Sequence, residues 1–411
     1  MQNPSAPVVL DPSGQNLHAE AARLRELGPV VKVVLPGGVT AWSVNRLDLI
    51  KQVMTNPMVS KDAYRHWPAW IDGEVDDSWP LAMWVSVRSM LTAYGEEHTR
   101  LRKLVAGVFT PRRVAELQPR IREITDELLT RLERMPPGQP VDIRREFAYE
   151  LPIRLISEML GLEGGERDSF HGVVNVLFTT STTPEMAQKN QAELYGLLND
   201  LVGRKRAQPA ADLTSALIAV RDEDGDGLTE KELVDTLHLI LGAGHETTVN
   251  LLDHAIHALL THPEQLALVQ EGRVPWDAVV DETLRYHAPV ANIPLRFAVR
   301  DVELDGTVVP AGEPILLSLV AAGRCPVTHG TDADAFDVTR PTRREHLAFG
   351  HGVHHCVGRP LAMSEVTIAL PALFERFPAI RLAVPSEELN LSESFISSGH
   401  TALPVVLGPA A

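Results

Sequence analysis

Cysteine is nearly missing from this chain: two in 411 residues, Cys325 and Cys356. So sparse a supply excludes a disulfide-stapled framework, and a lone Cys325–Cys356 bridge is disfavoured in a reducing compartment. Positive charge is short as well. Lys and Arg total 38 against 54 Asp and Glu, for a formal net charge of −16, which argues against a nucleic-acid partner. No apolar run reaches the roughly 18 residues that a membrane span needs. The opening Met1-Gln2-Asn3-Pro4-Ser5 lacks a basic stretch followed by an apolar core, so no secretory leader is visible. The expectation is a cytoplasmic protein without a membrane partner. Internal repeats and low-complexity linkers are missing too. The 30 prolines are spread along the chain, so residues 1–411 read as a single domain.

What is present is a large apolar supply, 44% hydrophobic against 22% charged, enough for a sizeable core. Apolar spacing predicts helices at 18–28, 114–135, 152–162 and 275–287. Thr229 followed by Glu232 makes a capping box for a long helix that runs to about Leu260, where His262-Pro263 stops it. Its middle, Leu237–Leu241, is strongly apolar, as suits a buried helix. Short strands are expected over 30–51, around Pro36-Gly37-Gly38, and between Arg296 and Leu319. The fold class is therefore mainly α with a minor β component, the sheets lying near the N-terminus and in the last third.

Four motifs carry chemistry. The first is Phe349-Gly350-His351-Gly352-Val353-His354-His355-Cys356-Val357-Gly358, followed by a helix-like segment from Pro360. Glycines let the backbone approach a flat cofactor. The coming helix N-terminus supplies N–H groups and partial positive charge that stabilise an anionic sulfur. Haem with one cysteine thiolate fits best. Zinc held by His351, His354, His355 and Cys356, and a plain buried cysteine, are the alternatives the loop by itself leaves open.

The second motif is Ala243-Gly244-His245-Glu246-Thr247-Thr248, in the middle of the long helix. Gly244 weakens the helix, and a threonine hydroxyl can bond to the carbonyl four residues earlier. A local opening there would form a groove in which Glu246 and Thr247 pass protons to bound dioxygen. The bland alternative is a polar patch on a helix. The third is Glu282-Thr283-Leu284-Arg285, three apart on one helix face, by itself an ordinary ion pair. The fourth is His98-Thr99-Arg100-Leu101-Arg102, where His98 and Arg102 could grip an anion or simply form a solvated face. Asp222, Asp224, Asp226 and Gly227 imitate the start of a calcium loop. Leu233 occupies the position of the bidentate acid, so the stretch reads as a solvated acidic turn. His254 and His257 read as ordinary helix residues.

Taken together and in this order, the motifs resemble those of bacterial, soluble cytochromes P-450 of the actinobacterial type, over nearly the whole chain. The cysteine loop fits the pattern F-x-x-G-x-x-x-C-x-G through Phe349, Gly352, Cys356 and Gly358, which is highly specific. Glu246 and Thr247 match the family's acid–alcohol pair, and Glu282 and Arg285 its E-x-x-R helix, with Arg340 as candidate third member. The resemblance implies the cytochrome P-450 fold, a triangular helix-rich body, and heme b (iron protoporphyrin IX) with Cys356 as axial ligand. It implies that His98, Arg102, Arg296 and His354 hold the propionates and that Ala243 and Gly244 shape the oxygen groove. One departure is Arg324-Cys325-Pro326, where relatives usually carry an aspartate before the proline.

By that resemblance the chain is a monooxygenase using O2 and electrons from a ferredoxin with its NAD(P)H-dependent ferredoxin reductase. The ferredoxin would dock against Arg102, Lys103, Arg112, Arg113 and Arg344. Pocket walls are expected from Trp84 and Val85 in the Trp-rich loop, Val176 and Leu177, Leu239 and Ala243, Ala291, Asn292 and Ile293, and Phe395 and Ile396. They are largely apolar, which suits a bulky hydrophobic substrate, steroid-like or polyketide-like. Trp67, Trp70, Trp79 and Trp84 could equally be structural. A haem-thiolate peroxygenase using H2O2 and a non-catalytic haem-binding protein are the rival readings. The Glu246–Thr247 pair speaks against the first, and the lack of an effector segment against the second.

Overall fold

A computed structural model describes residues 6–163, 166, 169–170, 172–173, 183–221 and 225–409. Val176, Leu177 and the rest of 174–180 lie outside the described residues, as do Asp222 and Asp224.

The long helix spans Glu230–Thr261 and organises the body. Its start is the expected capping box: Thr229 Oγ1 accepts from the Glu232 N–H, and Glu232 Oε2 accepts from the Thr229 N–H at 2.8 Å. The helix threads two separate cores. Leu233, Leu237 and Leu241 pack with Leu160, Leu198 and Leu201. Val249, Leu252, Ile256 and Leu259 pack with Phe147, Leu370 and Phe374. The polar run Gly244–Thr248 falls at the seam between them, where apolar burial makes the least demand on side-chain type. The expected opening does not form, because residues 243–248 stay α-helical. Thr247 Oγ1 donates to the Ala243 carbonyl at 2.6 Å without breaking the turn.

The other helices match their apolar spacing closely: Leu17–Leu27, Pro111–Glu133, Glu150–Leu160 and Trp276–Tyr286. One sequence expectation fails. Leu47–Thr55 is a helix, not a continuation of the strands. Leu47, Ile50, Val53 and Met54 all bury one face, a 3.6-residue spacing hidden behind two real strands.

A six-stranded sheet lies at one edge in the order Val8–Val9, Val30–Val34, Thr40–Val44, Pro314–Ser318, Asn292–Ala298, Val59–Ser60. It unites the N-terminal strands with those of the last third. The register shifts between Ile293 and Arg296, and such an irregularity re-aims the side chains beside it. Trp67 stacks on Phe297 with ring centroids 5.2 Å apart and meets Trp79 edge-on at 5.5 Å. Trp79 donates to the Pro36 carbonyl at 2.8 Å. These tryptophans are core; Trp84 packs partly buried against them.

Trp276–Tyr286 carries the most deeply buried ion pair. Arg285 Nε and Nη2 each donate to Glu282 at 2.7 Å, and neither side chain is exposed at all. Arg285 also donates to the carbonyls of Gly323, Ala333 and Ala335, each at 2.8 Å. Arg340 stands 3.4 Å from Glu282 and reaches Asp332 and the His329 carbonyl. The pair therefore ties the irregular chain of 323–340 to a helix.

Histidines form a second buried feature. His18 Nε2 lies 3.1 Å from His287 Nδ1, His287 stacks on His254 at 4.6 Å, and His257 meets His400 at 4.6 Å. Asp253 accepts from His400 Nδ1 at 2.9 Å. His254 and His257 are thus part of a cluster rather than isolated helix residues. Among the described residues, Asp253, His254 and His400 form the one group of three that could converge on a metal.

Two outcomes are expected. Arg285→Ala leaves Glu282 buried with only Arg340 and the Asp337 N–H and frees three carbonyls, and should cost about 3–5 kcal/mol in urea unfolding; a loss under 1 kcal/mol would contradict the clamp. Burial first of all depresses the histidines, His254 to about 3 and His238, His257, His329 and His346 to about 4. Each is neutral when folded and binds a proton more readily when unfolded. Stability should therefore be full above the ordinary value of about 6.5 and fall as pH drops from there toward 4. A flat urea midpoint over that window would refute it.

Candidate active site

Cys356 ends a loop whose shape is set by glycine. Gly350 and Gly352 have φ of +73° and +69°, a region other residues avoid. A Cβ on Gly352 would sit 3.0 Å from the Met54 carbonyl, so the loop packs against Leu47–Thr55. The Cys356 N–H donates to the Phe349 carbonyl at 2.8 Å, closing the turn, and the Arg359 guanidinium lies 5.7 Å from the Phe349 ring. The helix Arg359–Arg376 follows.

Cys356 is exposed, yet surrounding protein desolvates its thiol and pushes its pKa up. A group both accessible and crowded lies in a recess. Backbone N–H groups of Gly358 and Arg359, and the charges of Arg102 and Arg359, act the other way and favour thiolate. The thiol thus faces an open space with anion-stabilising groups behind it.

Around that space stand the basic side chains Lys61, Arg102 and Arg296 and two buried imidazoles, His98 and His354, whose desolvation disfavours their charged forms. His98 is buried, its Nε2 has no partner, and its ring meets His354 at 4.1 Å. Arg296 is buried with Nη1 unpartnered, and burial alone lowers its pKa to about 10. Arg102 Nη2 donates to the His355 carbonyl at 2.5 Å. Lys61, which the sequence did not single out, is 4% exposed and pushed well below its usual pKa by burial and Arg296. Among the described residues, no carboxylate is a leading influence on Lys61, His98, Arg296 or His354. Buried cations need anions, and a recess holding a thiol and these donors fits a haem with two carboxylates. Zinc does not fit: His354 turns to His98, and the loop contributes no group of three converging ligands among the described residues.

On the long helix, Ala243 is exposed and Thr247 half-buried. Gly244 serves packing: a Cβ there would come 3.2 Å from Ile156 Cδ1. Glu246 is held by Arg144, with Nη2 3.2 Å from Oε1. Burial raises the Glu246 pKa; the Arg144 charge and an Asn250 hydrogen bond oppose the rise. Arg144 also donates to Asn250 at 2.9 Å and lies 3.6 Å from Asp253. Arg144 is 102 residues from Glu246, and nothing in the sequence links them. Asn250 sits one helical turn after Glu246, a spacing that could have revealed it.

The expected pocket walls divide. Leu239, Ile293 and Trp84 are partly open. Val85, Ala291, Phe395 and Ile396 are packed into the core at 0–1% exposure, and Asn292 donates to the Phe395 carbonyl at 3.0 Å. Ala291 also bonds the Ile396 carbonyl. Ala291, Asn292, Phe395 and Ile396 tie two chain segments together. The basic patch is also weaker than expected, since Arg112 pairs with Glu116 at 3.1 Å and Arg344 with Asp281 at 2.8 Å.

Comparison with known proteins agrees with this geometry. The family model for cytochrome P450 matches residues 25–272 and 276–394. The chain is 43% identical over 401 residues to 2-hydroxy-5-methyl-1-naphthoate 7-hydroxylase of Streptomyces carzinostaticus, covering 98% of this chain and 97% of that one. It is 41% identical to vitamin D(3) 25-hydroxylase of Pseudonocardia autotrophica, covering 96% and 94%. Among solved structures, CYP154A1 of Streptomyces coelicolor A3(2) superposes with a TM-score of 0.92 at 51% identity, covering 97% and 100%. The chain belongs to the cytochrome P450 family and has its fold. It is an oxidoreductase of the monooxygenase class.

Removal of the thiol should be decisive for cofactor ligation. Cys356→Ser should fold but lose the thiolate-haem absorption band of the reduced, carbon monoxide-bound protein. Retention of that band would displace Cys356 as ligand.

Proposed function

We propose that the chain binds heme b through Cys356 and hydroxylates a bulky hydrophobic substrate, with O2 and two electrons delivered by a ferredoxin and its NAD(P)H-dependent reductase. The observation that carries this reading is an accessible thiol beside buried cations that no carboxylate compensates. When bound, haem supplies dioxygen activation and oxidation of a C–H bond. The protein's residues do the rest. Gly358 and Arg359 N–H groups and Arg102 favour the Cys356 thiolate. His98, Arg102, Arg296 and His354 would orient the propionates through charge-assisted hydrogen bonds.

Glu246 would move protons. Burial raises its pKa and Arg144 opposes the rise, a balance that suits a group that takes up and releases a proton. Thr247 is next to it, with its hydroxyl on the Ala243 carbonyl and oxygen lone pairs free for a further partner. Such a relay has no purpose in a peroxygenase, which favours the monooxygenase reading. A steroid-like or polyketide-like substrate is supported by relatives: one named for vitamin D(3), one for 6-deoxyerythronolide B, and a testerone-bound CYP154C4 with a TM-score of 0.94. Ala243 leaves space beside the relay. The family model's reach from 25 to 394 supports one domain. A cytoplasmic location suits supply by an NAD(P)H-dependent reductase.

The test is reconstitution with a ferredoxin, its reductase and NAD(P)H, with binding spectra over a panel of steroids and macrolides. Oxygenated product is expected; peroxide-driven turnover with none from NAD(P)H would favour the rival. Thr247→Ala should keep haem but divert electrons to hydrogen peroxide. Glu246→Gln should lower turnover by about 100-fold; unchanged coupling and turnover in both would remove the relay.

A further inference from the structure

The short strand Val59–Ser60 pairs antiparallel with Asn292–Ala298, with Val59 opposite Ala298 and Ser60 opposite Phe297. Lys61 follows Ser60 just past the last paired residue, Arg296 precedes Phe297 on the neighbouring strand, and the charge of Arg296 acts on Lys61. Like charges close together are unfavourable even at a surface. Here both side chains are 4% exposed. Each is desolvated, and Lys61 carries the added repulsion of Arg296. Lys61 makes no hydrogen bond or ion pair among the described residues. Its sequence neighbour Asp62 does not relieve it: Asp62 Oδ1 accepts from the Arg65 N–H, capping a helical turn. Two buried cations brought together without an acid are costly in folding. An anion entering between them would remove that cost and hold Lys61 in its charged form.

His98 and His354 both feel the charge of Lys61. Lys61 therefore stands beside the four donors above, but it approaches from a different part of the chain, just past the edge strand Val59–Ser60. The other four come from the helix Gly95–Ala106, the strand Asn292–Ala298 and the cysteine loop.

We propose that Lys61 is a further carboxylate-binding residue of the haem site, pairing with Arg296 around one propionate. The proposal rests on the haem reading. It makes Lys61 a liability in the cofactor-free protein and an asset in the loaded one, an opposition that a merely structural lysine would not produce.

Haem transfer from the purified holoprotein to an excess of a haem-scavenging apoglobin tests it, beside thermal melting of the haem-free protein. Lys61→Met should release haem about ten-fold faster than wild type, the worth of one charge-assisted hydrogen bond. Lys61→Arg should hold haem nearly as long as wild type. Haem-free Lys61→Met should melt above haem-free wild type. Release from Lys61→Met at the wild-type rate would overturn the proposal, as would a haem-free variant that melts no higher than wild type. Weakened binding of carboxylate-bearing substrates with unchanged haem release would assign Lys61 to the substrate and equally overturn it. If wild type takes up no haem at all, the haem reading itself fails, a result distinct from the rest.

Discussion

The buried pair of Glu282 and Arg285 holds the proximal side of this molecule in place. Neither side chain touches water. Between them they satisfy the carbonyls of Gly323, Ala333 and Ala335 and the N–H of Asp337. Residues 323–340 form no long helix or strand, so their backbone groups cannot pair among themselves in a regular ladder. One guanidinium and one carboxylate substitute for that ladder. The cysteine loop begins a few residues later, and its position is inherited from this clamp. Gly323 shows how tight the fit is: a Cβ there would come 2.1 Å from the Arg285 carbonyl.

The two sides of the site solve opposite electrostatic problems. On the long helix each buried charge has a partner, and Arg144 serves Glu246 and Asp253 together. Beside the thiol, the cations Lys61 and Arg296 have none. The first arrangement is complete within the protein and fixes a carboxyl of adjustable proton affinity. The second is incomplete and prepares a place for an anion. A fold can carry such a deficit because its two apolar cores and the clamp supply stability elsewhere.

Much of this was legible in the sequence, and the reasons differ by element. The capping box, the glycine loop and the Glu282–Arg285 spacing are local, and local patterns survive in a one-dimensional reading. Arg340, though more distant, was reachable through family resemblance. The Arg144–Glu246 pair was not, because helix periodicity says nothing about contacts 102 residues apart. Lys61 was hidden for a related reason: a lysine before an aspartate reads as a solvated pair, and only the folded chain buries it where the charge of Arg296 acts on it. The deep burial of Val85, Ala291, Phe395 and Ile396 was not legible, because apolar residues near a site and apolar residues sealing a core look alike in sequence. Leu47–Thr55 was misread because its helical spacing followed two genuine strands.

The C-terminal segment reaches the partners of Glu246 through one glycine. A Cβ on Gly399 would lie 2.1 Å from Asn250 Oδ1 and 3.1 Å from Arg144 Nη1, and Arg144 holds Glu246. The tail and the acid are therefore mechanically joined across a single side chain. Variation in this segment would not be free to explore new ligands alone. Any residue larger than glycine at 399 collides first with Asn250, which hydrogen-bonds both Arg144 and Glu246, so a change in the tail is felt at the acid.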